Sequence, residues 1–376
     1  METPLEALHR LKQKDRPVIG CLPLYPPLEL LHSLGLAPVV LWGLQEIVPQ
    51  VADADRHVQN YACSVARRLT QFVVSEGRDL LDGLFFYNAG DTLRNLPEIL
   101  REGVALSGHQ PVPQFRLHVP MNGLDRDYGR AYLQNGIQAL IADLEARFGG
   151  QFSADRFAAS VDLYARLRQC CRDLETAVSE GRLGFAAFCR LMSRANFLEA
   201  SEQLAQLEAQ STAAASRPPA AGSGPRLLVS GILPPPAALC EMMDSSGLTV
   251  AANDIAFLRR SYAAAPRSTT DPGPDAGGFY TDFYRDHFSC PTLLHTAGRR
   301  AETLLDLAAE TQAEGVLVVG EKFCEYEYFD LPYLEKQFKA AGLKVLTLEI
   351  TMDDDRAAME TARTRLEAFT EILTAR

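Results

Sequence analysis

GVLVVGEKFCEYEYFDLPY, residues 315–333, sets the terms for the rest of the chain. Its opening, Gly315–Val319, is a run of small and branched apolar residues with no polar interruption. Such a run suits a parallel strand covered on both faces. Cys324 then falls just past the carboxyl end of that strand, the edge where open α/β sheets bind ligands. Acidic and aromatic residues follow it. One reading is a soft-metal or redox site. The other is a half-buried free cysteine filling space, a common fate for this residue. The segment alone leaves both open.

Working outward, strands and helices alternate through the C-terminal part. Leu227–Gly231, Leu248–Ala252, Gly315–Val319 and Lys344–Ile350 read as strands. Pro236–Asp244, Thr303–Glu314, Leu331–Ala341 and Asp353–Thr374 read as helices, with Gly342 placed to end the third. Ala263–Gly278 reads as a long polar loop. The N-terminal part repeats the theme. Strands are expected at Pro38–Trp42, Leu84–Tyr87 and Pro113–Val119, and a helix at Asp55–Glu76. From Asp125 to about Glu208 the pattern is nearly all helical, with Gly149 and Gly150 as a break and Ser153 as an N-cap. Ala209–Gly224, AQSTAAASRPPAAGSG, reads as a linker or exposed loop. The expected fold is α/β: two Rossmann-like (flavodoxin-like) lobes with parallel sheets and a helical region between them. The expected division is 1–208 for the first lobe with the helical region, 209–225 for the linker and 226–376 for the second lobe.

Composition narrows the function. The formal net charge is -11 and no Lys/Arg cluster occurs, which argues against nucleic acid and anionic membranes as partners. The first residues are charged and no apolar stretch reaches bilayer length, so the expectation is a cytoplasmic protein. Eight scattered cysteines without a C-x-x-C pair speak against a disulfide framework and a zinc ribbon. Cys170, Cys171 and Cys189 lie in apolar helical contexts and are read as packing. The histidines form no H-E-x-x-H pattern, and neither a Walker A nor a G-x-S-x-G sequence occurs.

Ile19–Gly43, IGCLPLYPPLELLHSLGLAPVVLWG, places a Gly-Cys pair before a proline-rich loop that leads into a helix opened by Glu29. A rigid loop of this kind at a helix start can hold a thiol or receive an anion. It can equally be a helix entry with a chance cysteine. The run from Tyr25 to Gly43 resembles the first characteristic stretch of the 2-hydroxyacyl-CoA dehydratase and benzoyl-CoA reductase subunit family. Cys63–Gly83 is similar to that family's cysteine-bearing helix, and GDTLRNL at Gly90–Leu96 to its C-D-T/S-x-R-x-L loop. Lys322–Leu334, KFCEYEYFDLPYL, resembles its third cysteine segment, K-F-C-x-x-x-x-x-D-x-P-x-L.

The resemblance implies two Rossmann-like lobes and a [4Fe-4S] cluster held by cysteines from separate segments. It also implies a related second subunit, an acyl-CoA substrate and a separate ATP-dependent iron–sulfur activator that supplies low-potential electrons for radical dehydration or reduction. Cys324, Cys63, Cys21 and Cys290, in that order, are the candidate ligands. Cys63 can also be read as core. The chain departs from the family at two points: Gly90 stands where the central loop begins with cysteine, and Cys21 precedes the usual first position, occupied by Pro23. Three readings stay open: a cluster-bearing subunit, a cluster-free structural or CoA-binding sister subunit, and a related ATP-driven reductase of another small molecule. Asp91 and Arg94 either bind a phosphate and orient a ligand or cap the following helix.

Overall fold

The computed structural model describes residues 2–22, 24–220, 224–264, 275–350 and 356–375. Two four-stranded sheets, all parallel, form the frame. The first holds β1 (Val18–Cys21), β2 (Ala37–Val40), β3 (Gly83–Tyr87) and β4 (Gln114–Leu117) in the order β2-β1-β3-β4. The second holds β5 (Arg226–Gly231), β6 (Thr249–Ile255), β7 (Gly315–Glu321) and β8 (Lys344–Ile350) in the order β6-β5-β7-β8. The two Rossmann-like lobes expected from the alternation are present.

The strand period of two sorts side chains into layers. Ile19, Phe85, Leu227, Val229 and Leu317 point to one continuous core that also contains Phe157, Leu174 and Phe188 of the intervening helices. Val18, Leu84 and Phe86 point to a separate outer cluster of the first lobe. Leu228, Val316 and Val318 do the same in the second. The shared layer comes from helices Asp127–Phe148, Ala154–Ser179, Phe185–Ala195 and Ala200–Ala215, which lie between the sheets. Ser153 caps the second of these, accepting from the Arg156 N–H. No helix among the described residues is long and apolar enough to cross a membrane.

Several expectations need correction. Val18–Cys21 is a strand, central in its sheet, where the sequence suggested only a loop ahead of a helix. Asp55–Glu76 is not one helix. A short turn at Ala54–Arg56 is followed by irregular chain, then a helix at Ser64–Phe72 and a π-type turn at Val73–Gly77. The linker read from Ala209 is helical through Ala215, because alanine is the strongest helix former whatever its low-complexity appearance. The helix Ala276–Arg285 begins inside the stretch read as a polar loop, with Asp275 accepting from the Gly277 and Gly278 N–H groups. The start of the helix read from Asp353 and the position of Pro23 lie outside the described residues.

Candidate functional site

In each sheet the first strand's connection leaves one way and the third strand's leaves the other. The crevices therefore open beyond β1/β3 and β5/β7, the topological switch points where α/β sheets take ligands. Both open into a single cavity of about 460 Å³. Leu24 and Trp42, beyond β1 and β2, line one side with Ala89, Gly90 and Asp91 from the end of β3. Ile232, beyond β5, and Glu321 and Phe323–Tyr326, at the end of β7, line the other. The irregular segment between residues 57 and 65 completes the wall and brings in Cys63.

Cys63 is the N-cap of the Ser64–Phe72 helix rather than part of it. The neighbouring Ser64 N–H donates to Glu321 Oε1 at 2.9 Å, a direct tie from the first lobe to the end of β7. Cys324 caps the short turn Glu325–Tyr328. Its thiol is raised well above the ordinary range by burial, with the nearby Glu327 and Cys63 adding to the rise. Burial pushes the Cys63 thiol up to about 11. Two thiols distant in sequence thus meet in this cavity, both protonated at neutral pH. Backbone strain gathers here as well: Leu24 and Phe323, both lining residues, have positive φ, a region side-chain-bearing residues rarely adopt.

Residues 23–373 match the family described as 2-hydroxyglutaryl-CoA dehydratase, D-component. The chain belongs to this family. It is 23% identical over 371 residues to the (R)-phenyllactyl-CoA dehydratase beta subunit of Clostridium sporogenes, covering 97% of this chain and 94% of that one. It is 25% identical over 378 residues to the beta subunit of (R)-2-hydroxyglutaryl-CoA dehydratase from Acidaminococcus fermentans, covering 99% and 96%. A benzoyl-CoA reductase subunit from Thauera aromatica is 25% identical over 337 residues, covering 87% and 84%.

Against that family background the remaining candidates fall into place. Cys21 lies within β1, fully buried, its thiol 3.8 Å from the Ile19 carbonyl and close to Tyr164 and Tyr284 in the core. It does not line the cavity. Cys290 is buried behind Thr292, a lining residue; Arg260 Nη1 donates to its sulfur at 3.5 Å and Thr292 Oγ1 lies 3.1 Å away. Asp91 and Arg94 pair with each other at 2.7 Å across the exposed first turn of the Asp91–Leu106 helix, and Asp91 reaches the cavity wall. Neither caps that helix by its side chain: the N-cap is Gly90, which has none. Asp91 favours the positive end of the helix dipole instead.

A [4Fe-4S] cluster is bound through three or four protein ligands, usually thiolates. This cavity supplies two thiols. Its third wall, at Gly90, has no side chain, and a Cβ built there would stand 3.4 Å from the Tyr326 ring. Among the described residues no group of three His, Cys, Asp or Glu side chains is arranged to hold a metal ion. The donor set among the described residues does not fit a cubane.

Sequence reading missed the buried polar lattice behind Cys324. Arg260 bridges Asp254 at 2.6 Å, and Arg300 reaches Asp254, Glu327 and Asp330 at 3.2, 2.8 and 2.9 Å. Burial opposes ionisation of Asp254, yet Arg260 and Arg300 hold its carboxyl below the usual range. Glu327 and Asp330 were legible only as acidic residues after Cys324; their pairing with Arg300 was not, because Asp254, Arg260 and Arg300 come from other segments.

His287 gives the protein a predictable acid sensitivity. Its ring lies 4.0 Å from that of Tyr25, its Nδ1 bonds the Phe288 carbonyl, and its Nε2 has no hydrogen-bond partner among the described residues. Burial lowers its pKa to about 3 from an ordinary 6.5. Between those values the unfolded chain binds the extra proton and the folded one does not, so this residue's share of stability is lost as pH falls through that window. In urea unfolding compared at about pH 7 and about pH 4, His287→Phe is expected to lose less stability on acidification than the parent. Equal losses would rule His287 out as a contributor.

Proposed function

We propose that this chain is one subunit of a 2-hydroxyacyl-CoA dehydratase or benzoyl-CoA reductase-like complex. In this reading it works beside a related second subunit and contributes the inter-lobe cavity without a [4Fe-4S] cluster of its own. The observation that carries the reading is that one cavity receives the carboxyl edges of both sheets yet presents only two thiols, Cys63 and Cys324. The relatives named as subunits of acyl-CoA dehydratases and of benzoyl-CoA reductase support the partner subunit and the acyl-CoA substrate. The cluster would then belong to the second subunit, and a separate ATP-dependent activator would feed it electrons; this chain has no Walker A sequence of its own.

The chemistry left to this chain is positioning and exclusion of water. Trp42, Val58, Leu93, Ile99 and Ile232 give the cavity apolar walls suited to an acyl chain. Glu325, Asp91, His57 and Glu321 are among the groups on the same lining that could accept or return a proton.

The test is anaerobic purification of this chain alone and with the second subunit, followed by iron and acid-labile sulfide analysis of each. Iron is expected with the second subunit only, and turnover of a 2-hydroxyacyl-CoA or aromatic acyl-CoA only when both subunits, activator and ATP are present. About four irons per copy of this chain alone would instead establish the cluster-bearing reading.

A further inference from the structure

A second cavity, of about 470 Å³, shares no lining residue with the first. Cys189 and Cys240 both line it. Cys189 belongs to the helix Phe185–Ala195 of the shared layer, and Cys240 to the helix Ala237–Ser245 of the second lobe. Neither thiol has a part in the function proposed above.

The two helices are held in register around these thiols. Asp244 Oδ1 and Oδ2 accept from the Phe185 and Ala186 N–H groups at 2.8 and 3.0 Å, so the second lobe caps the start of the layer helix. Arg190 Nη1 pairs with Glu241 Oε1 at 2.9 Å. Cys189 lies one turn beyond Phe185 and Cys240 one turn before Asp244, which puts both thiols on the joined faces. They meet there: Cys240 is a hydrogen-bond partner of the Cys189 side chain and itself donates to the Pro235 carbonyl at 3.3 Å. The rest of the wall is polar. Arg68 and Arg190 bring two cations to the lining against one carboxylate, Glu46, which leans towards Arg194 at 3.6 Å.

We propose that Cys189 and Cys240 form a thiol–disulfide exchange site, and that the cavity beside them receives an acidic low-molecular-weight disulfide as its oxidant. The cavity has room for the mixed-disulfide intermediate that such exchange requires. The proposal is independent of whether the chain carries a cluster.

The order of attack follows from position. Burial, with the neighbouring Cys240 adding to it, raises the Cys189 thiol well above its ordinary range. Cys240 lies in the first turn of its helix, at the positive end of the dipole, and attacks first. Its sulfur bonds to one sulfur of the small disulfide and the other leaves as a thiolate. Cys189 then attacks the Cys240 sulfur and releases the second small thiol. The S–S bond of the oxidant is replaced by one between Cys189 and Cys240. Two electrons pass to the oxidant, and the two cysteine protons end on the two small thiols. The product ties the helical layer to the second lobe.

The reduced full chain is incubated without oxygen, at low ionic strength, with oxidised glutathione, an acidic disulfide, or with cystamine, a cationic one. Free thiols are alkylated at intervals and disulfides are located by peptide mass mapping. Each rate is divided by that of the urea-unfolded chain, which removes intrinsic reactivity. Oxidised glutathione is expected to form the Cys189–Cys240 bond about tenfold faster than cystamine on this scale, the low end of what a charged cleft adds to association. Arg190→Ala is expected to shrink that ratio, and Cys189→Ser to halt the reaction at a mixed disulfide on Cys240. The oxidised parent is expected to unfold at a higher urea concentration than the reduced one. Oxidation of other cysteines, Cys63 and Cys324 among them, while Cys189 and Cys240 stay free in the parent would overturn the site. Equal normalised rates for the two disulfides would overturn the acidic ligand.

Discussion

Replacing Arg300 by alanine is expected to remove about 3–5 kcal/mol of folding stability, the cost of stripping one partner from a buried ionic lattice. The side chain is 2% exposed. Its Nη2 donates to Ser230 Oγ, Asp254 Oδ2 and Glu327 Oε1, and its Nη1 reaches both carboxylate oxygens of Asp330. Alanine would leave Asp254 with Arg260 and the Ser230 hydroxyl. Glu327, 1% exposed, would lose its only cationic partner at salt-bridge distance among the described residues. The lattice also has a positional role, because Glu327 belongs to the turn that Cys324 caps. Urea unfolding measures the first effect. Alkylation of Cys324 measures the second and is expected to quicken in Arg300→Ala. Arg300→Lys keeps the charge but not the forked donors, so it is expected to recover only part of the loss. A stability change under about 1 kcal/mol would mean that the lattice is replaceable by local rearrangement.

Glu29→Ala is expected to cost about as much, again about 3–5 kcal/mol, for a reason that spans the whole molecule. Glu29 is fully buried just inside the Leu28–Ser33 helix of the first lobe. Arg168, from the helical region, donates to its Oε1, and Tyr280, from the second lobe, donates to its Oε2 at 2.9 Å. Tyr280 in turn accepts from the Leu30 N–H at 3.0 Å. One carboxylate thus joins three parts of the fold. Its loss strands the Arg168 guanidinium, whose remaining neighbour of note is the Phe283 ring at 5.5 Å. Glu29→Ala/Arg168→Ala is expected to cost well under the sum of the two single changes, since no charge is then left unpaired. Additive losses in that cycle would show that the two residues do not act as a pair.

Neither of these lattices could be read along the chain, whereas much of the frame could. Leu227–Gly231 and Gly315–Val319 announce themselves because strands covered on both faces need no polar alternation. The first strand did not. Val18–Cys21 is only four residues long, and its apolar run passes straight into the proline-rich loop. Pairing with β2 and β3, not local preference, makes it extended. The helix ending at Ala215 was hidden for the opposite reason: an Ala/Ser/Gln composition resembles a linker until its apolar side finds a neighbour, here through Leu204, Leu207 and Ala214.

Of the four candidate sulfurs, the sequence placed Cys324 correctly past a strand end and brought Cys63 forward through its motif. It had no means of excluding Cys21. Strand register decides that: Cys21 shares the inward face with Ile19, so its thiol enters the core and not the crevice. That the Tyr326 ring lies beside Gly90 was equally out of reach, because the two residues come from different lobes.

The amino-acid sequence by itself determined the family, the alternation of strand and helix, and the absence of a cysteine at position 90. Those are properties of residue identity and periodicity, and each is legible within one segment. Only the tertiary structure decided which sulfurs share a cavity, which carboxylates are buried, and what fills the space beside Gly90. These depend on how separate segments meet, and that is set by burying the inner faces of two sheets against a common layer of helices.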